Sequence, residues 1–187
     1  VMIDDIYSLL AFTALLLVFY PTVFGIQNDA DQHTLEIIFG IPDYRYKVWL
    51  IRFMMVIILV FLLLIPFALI GYYALVSFPV IPVVLQLMVL VTFISTLGFA
   101  LSTLVRNGNA AAVIMVVIGL ALLILSDELR YSKWNIFLNP FADPPANTND
   151  IVWQETIVQN RIMMGLTSIL WLLIGLMNLQ HREKFLR

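Results

Sequence analysis

The side chains able to ligate a metal, hold a haem or relay a proton are few: two histidines, His33 and His181, twelve Asp and Glu residues, and no cysteine. Without cysteine, thiolate nucleophiles, iron-sulfur clusters, cysteine-based zinc sites and disulfides are excluded. His33 precedes the second long apolar run and His181 follows the last. A bis-histidine haem needs two such residues at membrane depth on facing helices, and neither is placed there. Asp29, Asp31 and Glu36 surround His33, but that stretch reads as a solvated interfacial helix and not as a converging ligand set, so no metal is expected. None of the eight glycines precedes a lysine, so the phosphate-binding loop of P-loop ATPases is missing. A Ser-His-Asp triad fails for want of a histidine at depth. The chain is expected to hold no cofactor and to be no enzyme.

The elements that would position any site are membrane helices. Of 187 residues, 62% are hydrophobic and 12% charged, and the mean hydropathy is +0.99. This is the composition of an integral membrane protein, with no room for a large aqueous domain. Ten basic residues against twelve acidic ones, in short clusters between apolar runs, leave no footprint for nucleic acid. Uncharged runs cover 6–28, 53–105, 108–126 and 162–181, the second long enough for two crossings with a break at Ser77-Phe78-Pro79-Val80-Ile81-Pro82. A helix rising about 1.5 Å per residue needs about 20 residues to cross a core of about 30 Å. The sequence therefore predicts one all-α transmembrane domain over 1–187, a polytopic helical bundle with spans at about 6–26, 53–76, 83–105, 110–126 and 162–179.

Arg45, Lys47, Arg52, Arg106, Arg182, Lys184 and Arg187 fall on one side of this bundle, and Arg130, Lys133 and Arg161 on the other. The positive-inside rule then places 28–52, 106–109 and the C-terminus in the cytoplasm and the N-terminus outside. An outside N-terminus, with Asp4 and Asp5 before the first run and no basic start or cleavage pattern, suggests an upstream span and a six-span parent.

The segment 31–47 mixes charge with Leu35, Ile37, Ile38 and Phe39 and suits a short interfacial helix ended near Gly40 and Pro42. Ser77 to Pro82 and Asn107-Gly108-Asn109 read as tight turns between antiparallel neighbours. The polar stretch 127–160 divides into an amphipathic piece to Leu138, an Asn139-Pro140-Phe141 turn, a proline-rich piece and a short helix from about Asp150 to Asn160. Tyr20, Tyr44, Tyr46, Trp49, Tyr72, Tyr73, Tyr131, Trp134 and Trp153 sit near run ends, as an interfacial aromatic belt would.

No Asp, Glu, Lys or Arg lies inside a predicted span, so the buried carboxylates of ion-coupled transport are missing. In the third run Thr92, Thr96 and Ala100 recur at i+4, beside a small-residue face of Ser95, Gly98 and Ser102. Such a face admits a close helix neighbour and offers hydroxyls for interhelical bonds of about 0.6 to 2 kcal/mol each. It fits packing within the subunit, and it fits contact with a second copy or a translocation path. Pro66 is expected to bend the second span, as a packing adjustment or as a joint.

Residues 29–53, DADQHTLEIIFGIPDYRYKVWLIRF, resemble the membrane subunit of ABC-2 type ATP-driven exporters. Thr34, Leu35, Glu36, Pro42 and Tyr44 match that family's segment between its second and third spans, whereas His33 and Arg52 replace a common glycine and lysine. ALSTLVRNGNAAA, WNIFLNPF and the terminal HREKF continue the resemblance over nearly the whole chain. It implies a six-span permease in a bacterial inner membrane, paired with a second permease subunit and set among membrane lipids. A separate cytoplasmic P-loop ATPase would bind the ATP and Mg. The segment Thr34 to Tyr46 would be the coupling helix, with Thr34, Glu36, Ile37, Phe39, Pro42 and Tyr44 at the ATPase, and 127–160 would form short external helices. A non-catalytic membrane anchor or scaffold subunit is the competing expectation.

Overall fold

The computed structural model describes residues 2–31, 37–38, 40–43, 45–105, 107–144 and 148–180, with the backbone alone for Ala30, Asp31, Arg45 and Tyr46. Helix α1 (Ile3–Val23) starts where the Asp5 carboxylate accepts the Met2 N–H at 2.9 Å, and Asp4 and Asp5 complement the positive helix end. It breaks at Phe24 and continues as α2 (Gly25–Asp31), with Pro21 in the last turn before the break. A π-helical turn, Arg45–Leu50, leads into α3 (Ile51–Ala74), which passes through Pro66 unbroken. Pro79 introduces α4 (Val80–Val105), and Val83 N–H donates to the Pro79 carbonyl at 3.2 Å. Asn107 caps α5 (Gly108–Glu128) by accepting the Ala110 N–H at 3.1 Å, and Asn149 caps α6 (Asp150–Asn178) through the Ile151 N–H at 3.2 Å.

Among the described residues, five helical stretches are long and apolar enough to cross a membrane: Ile3–Asp29, Lys47–Ala74, Val80–Val105, Gly108–Glu128 and Asp150–Asn178. Among the described residues the fold is thus all-α, a polytopic helical bundle. Helix α4 is its axis, packed against α1, α3, α5 and α6. Every residue from Phe93 to Ala100 is buried, and Val83, Leu87 and Val91 meet Ala14 and Val18 of α1, Leu64 of α3 and Met164 of α6 in one core. Helices α3 and α5 are peripheral and turn apolar side chains such as Met55, Leu62, Val117 and Ile124 outward. In water that surface would drive aggregation; in a bilayer it is the face that lipid solvates.

Three local expectations change. The short helix over 150–160 and the last span form one helix, because nothing from Asp150 to Met164 is proline or glycine to interrupt it. At about 1.5 Å per residue its 29 residues run about 43 Å, so its first turns stand clear of a core of about 30 Å. After Glu128 the amphipathic piece is not a helix but a chain of turns, in which Asn135 Oδ1 accepts the Phe137 N–H at 2.9 Å and Asn139 Oδ1 the Phe141 N–H at 3.0 Å. Asparagine side chains there take over the backbone bonding that a helix would supply. Finally, Trp49 and Trp153 are packed inside, at 3% and 5% exposure, while Tyr20, Tyr73, Tyr131 and Trp134 keep the exposure of a belt.

Candidate functional site

Polar side chains gather at the two ends of the bundle. At one end, the chain leaves α2 and returns through the π-helical turn to α3. Asp43, with φ 56°, takes the left-handed turn conformation that Asp tolerates better than most residues, and its carbonyl accepts the Lys47 N–H at 3.1 Å to start that turn. Asp29 on α2 and Arg52 on α3 form a charge-assisted hydrogen bond, so the two ends of the intervening segment are tied together. The Arg52 guanidinium also lies 5.9 Å from the Trp49 ring centroid. Beneath the pair, Ile26, Trp49, Phe53, Phe99, Leu176 and Leu179 form a separate apolar cluster that joins α2, α3, α4 and the end of α6. Phe99 packs directly on Gly175, where an added Cβ would fall 2.6 Å from its Cε1. π-Helical turns are rare and are frequently found at functional sites.

Of the residues expected to meet an ATPase, Ile37 is exposed in a helical pair with Ile38, and Pro42 is exposed in the turn before Asp43. Thr34, Glu36, Phe39 and Tyr44 lie outside the described residues, as do Leu35 and His33.

The small-residue face of α4 lies at the centre of the bundle. Ser95, Thr96 and Ala100 are fully or almost fully buried, and Thr92 is partly so. Gly98 meets α1: a Cβ there would lie 3.0 Å from Thr22 Oγ1 and 3.3 Å from Val23 Cγ2. The hydroxyls do not bridge helices. Ser95 donates to Val91 O at 2.5 Å, Thr96 to Phe93 O at 2.9 Å, Ser102 to Phe99 O at 2.8 Å and Thr103 to Ala100 O at 2.7 Å, all within α4. With no water in the bilayer core, the nearest carbonyl of the same helix satisfies each hydroxyl without any demand on a neighbour's register.

At the other end Arg161 of α6 is the organising residue. Its Nε donates to Gln86 Oε1 of α4 at 2.8 Å, and its Nη2 to Leu138 O at 3.1 Å and to the Tyr7 hydroxyl of α1 at 3.3 Å. Its Nη1 reaches Asn160 Oδ1 at 3.2 Å and Met164 Sδ at 3.6 Å. Asn160 in turn donates to the Lys133 and Asn135 carbonyls at 2.8 and 2.7 Å, and Asn139 donates to the Asp4 carbonyl at 3.1 Å. Arg161 makes no ion pair among the described residues. Its fixed fork of donors spans four elements, a task a lysine could not perform.

Neither the Asp29–Arg52 tie nor the Arg161 hub follows from spacing alone. Gln86, an amide inside an otherwise apolar run, was the sequence signal for the hub, because a buried amide needs a partner. Among the described residues these features belong to a multi-pass all-α membrane protein, consistent with a transport-related or anchoring membrane subunit. No protein-family model, no curated protein and no solved structure matches the chain.

Proposed function

We propose that this chain is the permease subunit of an ABC-2 type exporter, which forms a translocation path with a second permease subunit and is driven by a separate P-loop ATPase. The observation that supports this most is the tied segment between α2 and α3. Its two ends are held by Asp29 and Arg52, and its far side enters α3 through a π-helical turn. A push on the segment is therefore delivered to α3 and to the Trp49–Phe99 cluster instead of being lost in slack chain. ATPase closure would displace the stretch carrying Glu36, Ile37 and Phe39, and α3 would carry that displacement to the dimer-facing helices. The packing of the α4 face against α1 supports a path between two permease subunits over one through the centre of a single subunit.

The test is purification of the protein from its native membrane in mild detergent with mass spectrometry of its partners. A stoichiometric P-loop ATPase and a second permease are expected. A preparation carrying only other membrane or redox subunits would replace this reading with that of an anchor.

A further inference from the structure

A groove of about 440 Å³ runs along the membrane-facing side of α6 where the 129–144 segment crosses it. Its floor is apolar: Ile162, Met163, Leu166 and Thr167 lie one turn apart on a single helix face. Ile162 and Leu166 are 57% and 59% exposed, so this face is open. At the lower end the Thr167 hydroxyl turns back onto the Met163 carbonyl at 2.8 Å, and the other polar groups are confined to the opposite end. Lys133 and Trp134 stand there with Gln159, and the Lys133 carbonyl is fixed to α6 by Asn160 Nδ2 at 2.8 Å, which sets that end level with the Arg161 hub. From Gln159 to Thr167 the groove descends about 12 Å toward the bilayer middle at about 1.5 Å per residue.

Lys133 makes no ion pair among the described residues, and its Nζ lies 5.7 Å from the Trp134 ring centroid. Glu155, one turn further from the span, engages Gln159 Nε2 at 3.0 Å instead. The result is an exposed cation on an anchored backbone and an exposed indole, with its own N–H donor, above an apolar trough that opens sideways to lipid.

We infer that this groove is a binding site for one anionic membrane phospholipid, with its phosphate headgroup at Lys133 and Trp134 and an acyl chain laid along Ile162, Met163 and Leu166. Charge complementarity selects the headgroup, because Lys133, which makes no ion pair among the described residues, stands at the head of the trough. The apolar floor selects a chain over a free phosphate. The site is independent of the exporter reading, since it needs only that α6 spans a bilayer.

The test uses the full chain reconstituted in phosphatidylcholine vesicles that contain equal mole fractions of either brominated phosphatidylglycerol or brominated phosphatidylcholine. Bromine quenches indole fluorescence on contact, and the Trp134 signal is the difference between the protein and its Trp134→Phe variant. Quenching by the anionic lipid is expected to show about fivefold tighter association than the neutral one, the ratio that corresponds to about 1 kcal/mol for one basic side chain at an anionic surface. The ratio is expected to fall to unity in Lys133→Gln, and Thr167→Phe, which fills the groove floor, is expected to weaken quenching by both lipids. Equal quenching in the parent protein, or a ratio unchanged by Lys133→Gln, overturns the headgroup assignment. No quenching by either lipid means that protein covers the groove, and the inference fails.

Discussion

Arg161 holds together α1, α4, α6 and the 129–144 segment through a side chain that makes no ion pair among the described residues, and replacing it with methionine tests whether that hub supports the bundle. Arg161→Met removes the donors from four oxygen acceptors: Gln86 Oε1, Asn160 Oδ1, the Leu138 carbonyl and the Tyr7 hydroxyl. At the average of about 0.6 kcal/mol measured for polar contacts between membrane helices, four such bonds amount to about 2.4 kcal/mol. Breaking a buried charged network in a protein interior costs about 3 to 5 kcal/mol, partly offset because a costly charge has also gone. Arg161 is partly exposed, which favours the lower figure. The expected loss is thus about 2 to 3 kcal/mol, read as a shift in the midpoint of unfolding when SDS is titrated into mixed micelles. Arg161→Lys keeps the charge but lacks the fork, so it should recover less than half of the loss. A loss under about 0.5 kcal/mol, the size of an ordinary surface substitution, or full recovery with lysine, would refute the hub.

Three further outcomes are expected. Gly175→Val should cost about 1 to 3 kcal/mol, because its Cβ would fall within 2.7 Å of two Phe99 ring carbons, and Phe99→Leu should restore part of that in a double-mutant cycle of micellar unfolding. At the other end, Arg52→Gln should destabilise more than Asp29→Asn. The Asp29 side chain is 10% exposed and would lose its Arg52 contact where little water can replace it, whereas the Arg52 side chain is 46% exposed and can turn to water; equal midpoint shifts would count against this asymmetry. Glu36→Lys should uncouple ATP turnover from transport in the purified complex while leaving its subunits together, and unchanged substrate-stimulated ATPase would remove Glu36 from the coupling role.

Composition decided the class of fold, for a simple reason. An apolar run of about 20 residues can satisfy its backbone in lipid only as a helix or within a closed barrel. The five observed stretches overlap the five spans read from the sequence, and the break before Pro82 falls between α3 and α4, where Pro79 precedes the first turn of α4. Tertiary structure decided what those helices do with their polar groups. Hydroxyl spacing on α4 is equally compatible with bonds to a neighbour and to its own carbonyls, and only the side-chain rotamers in the packed bundle show that Ser95, Thr96, Ser102 and Thr103 bond within α4. The Tyr7–Arg161 and Arg52–Asp29 contacts join residues 154 and 23 positions apart, and no local periodicity encodes such distances. Trp49 and Trp153 made the same point: a tryptophan at a run end suits both a lipid interface and a core, and its neighbours in space choose between them.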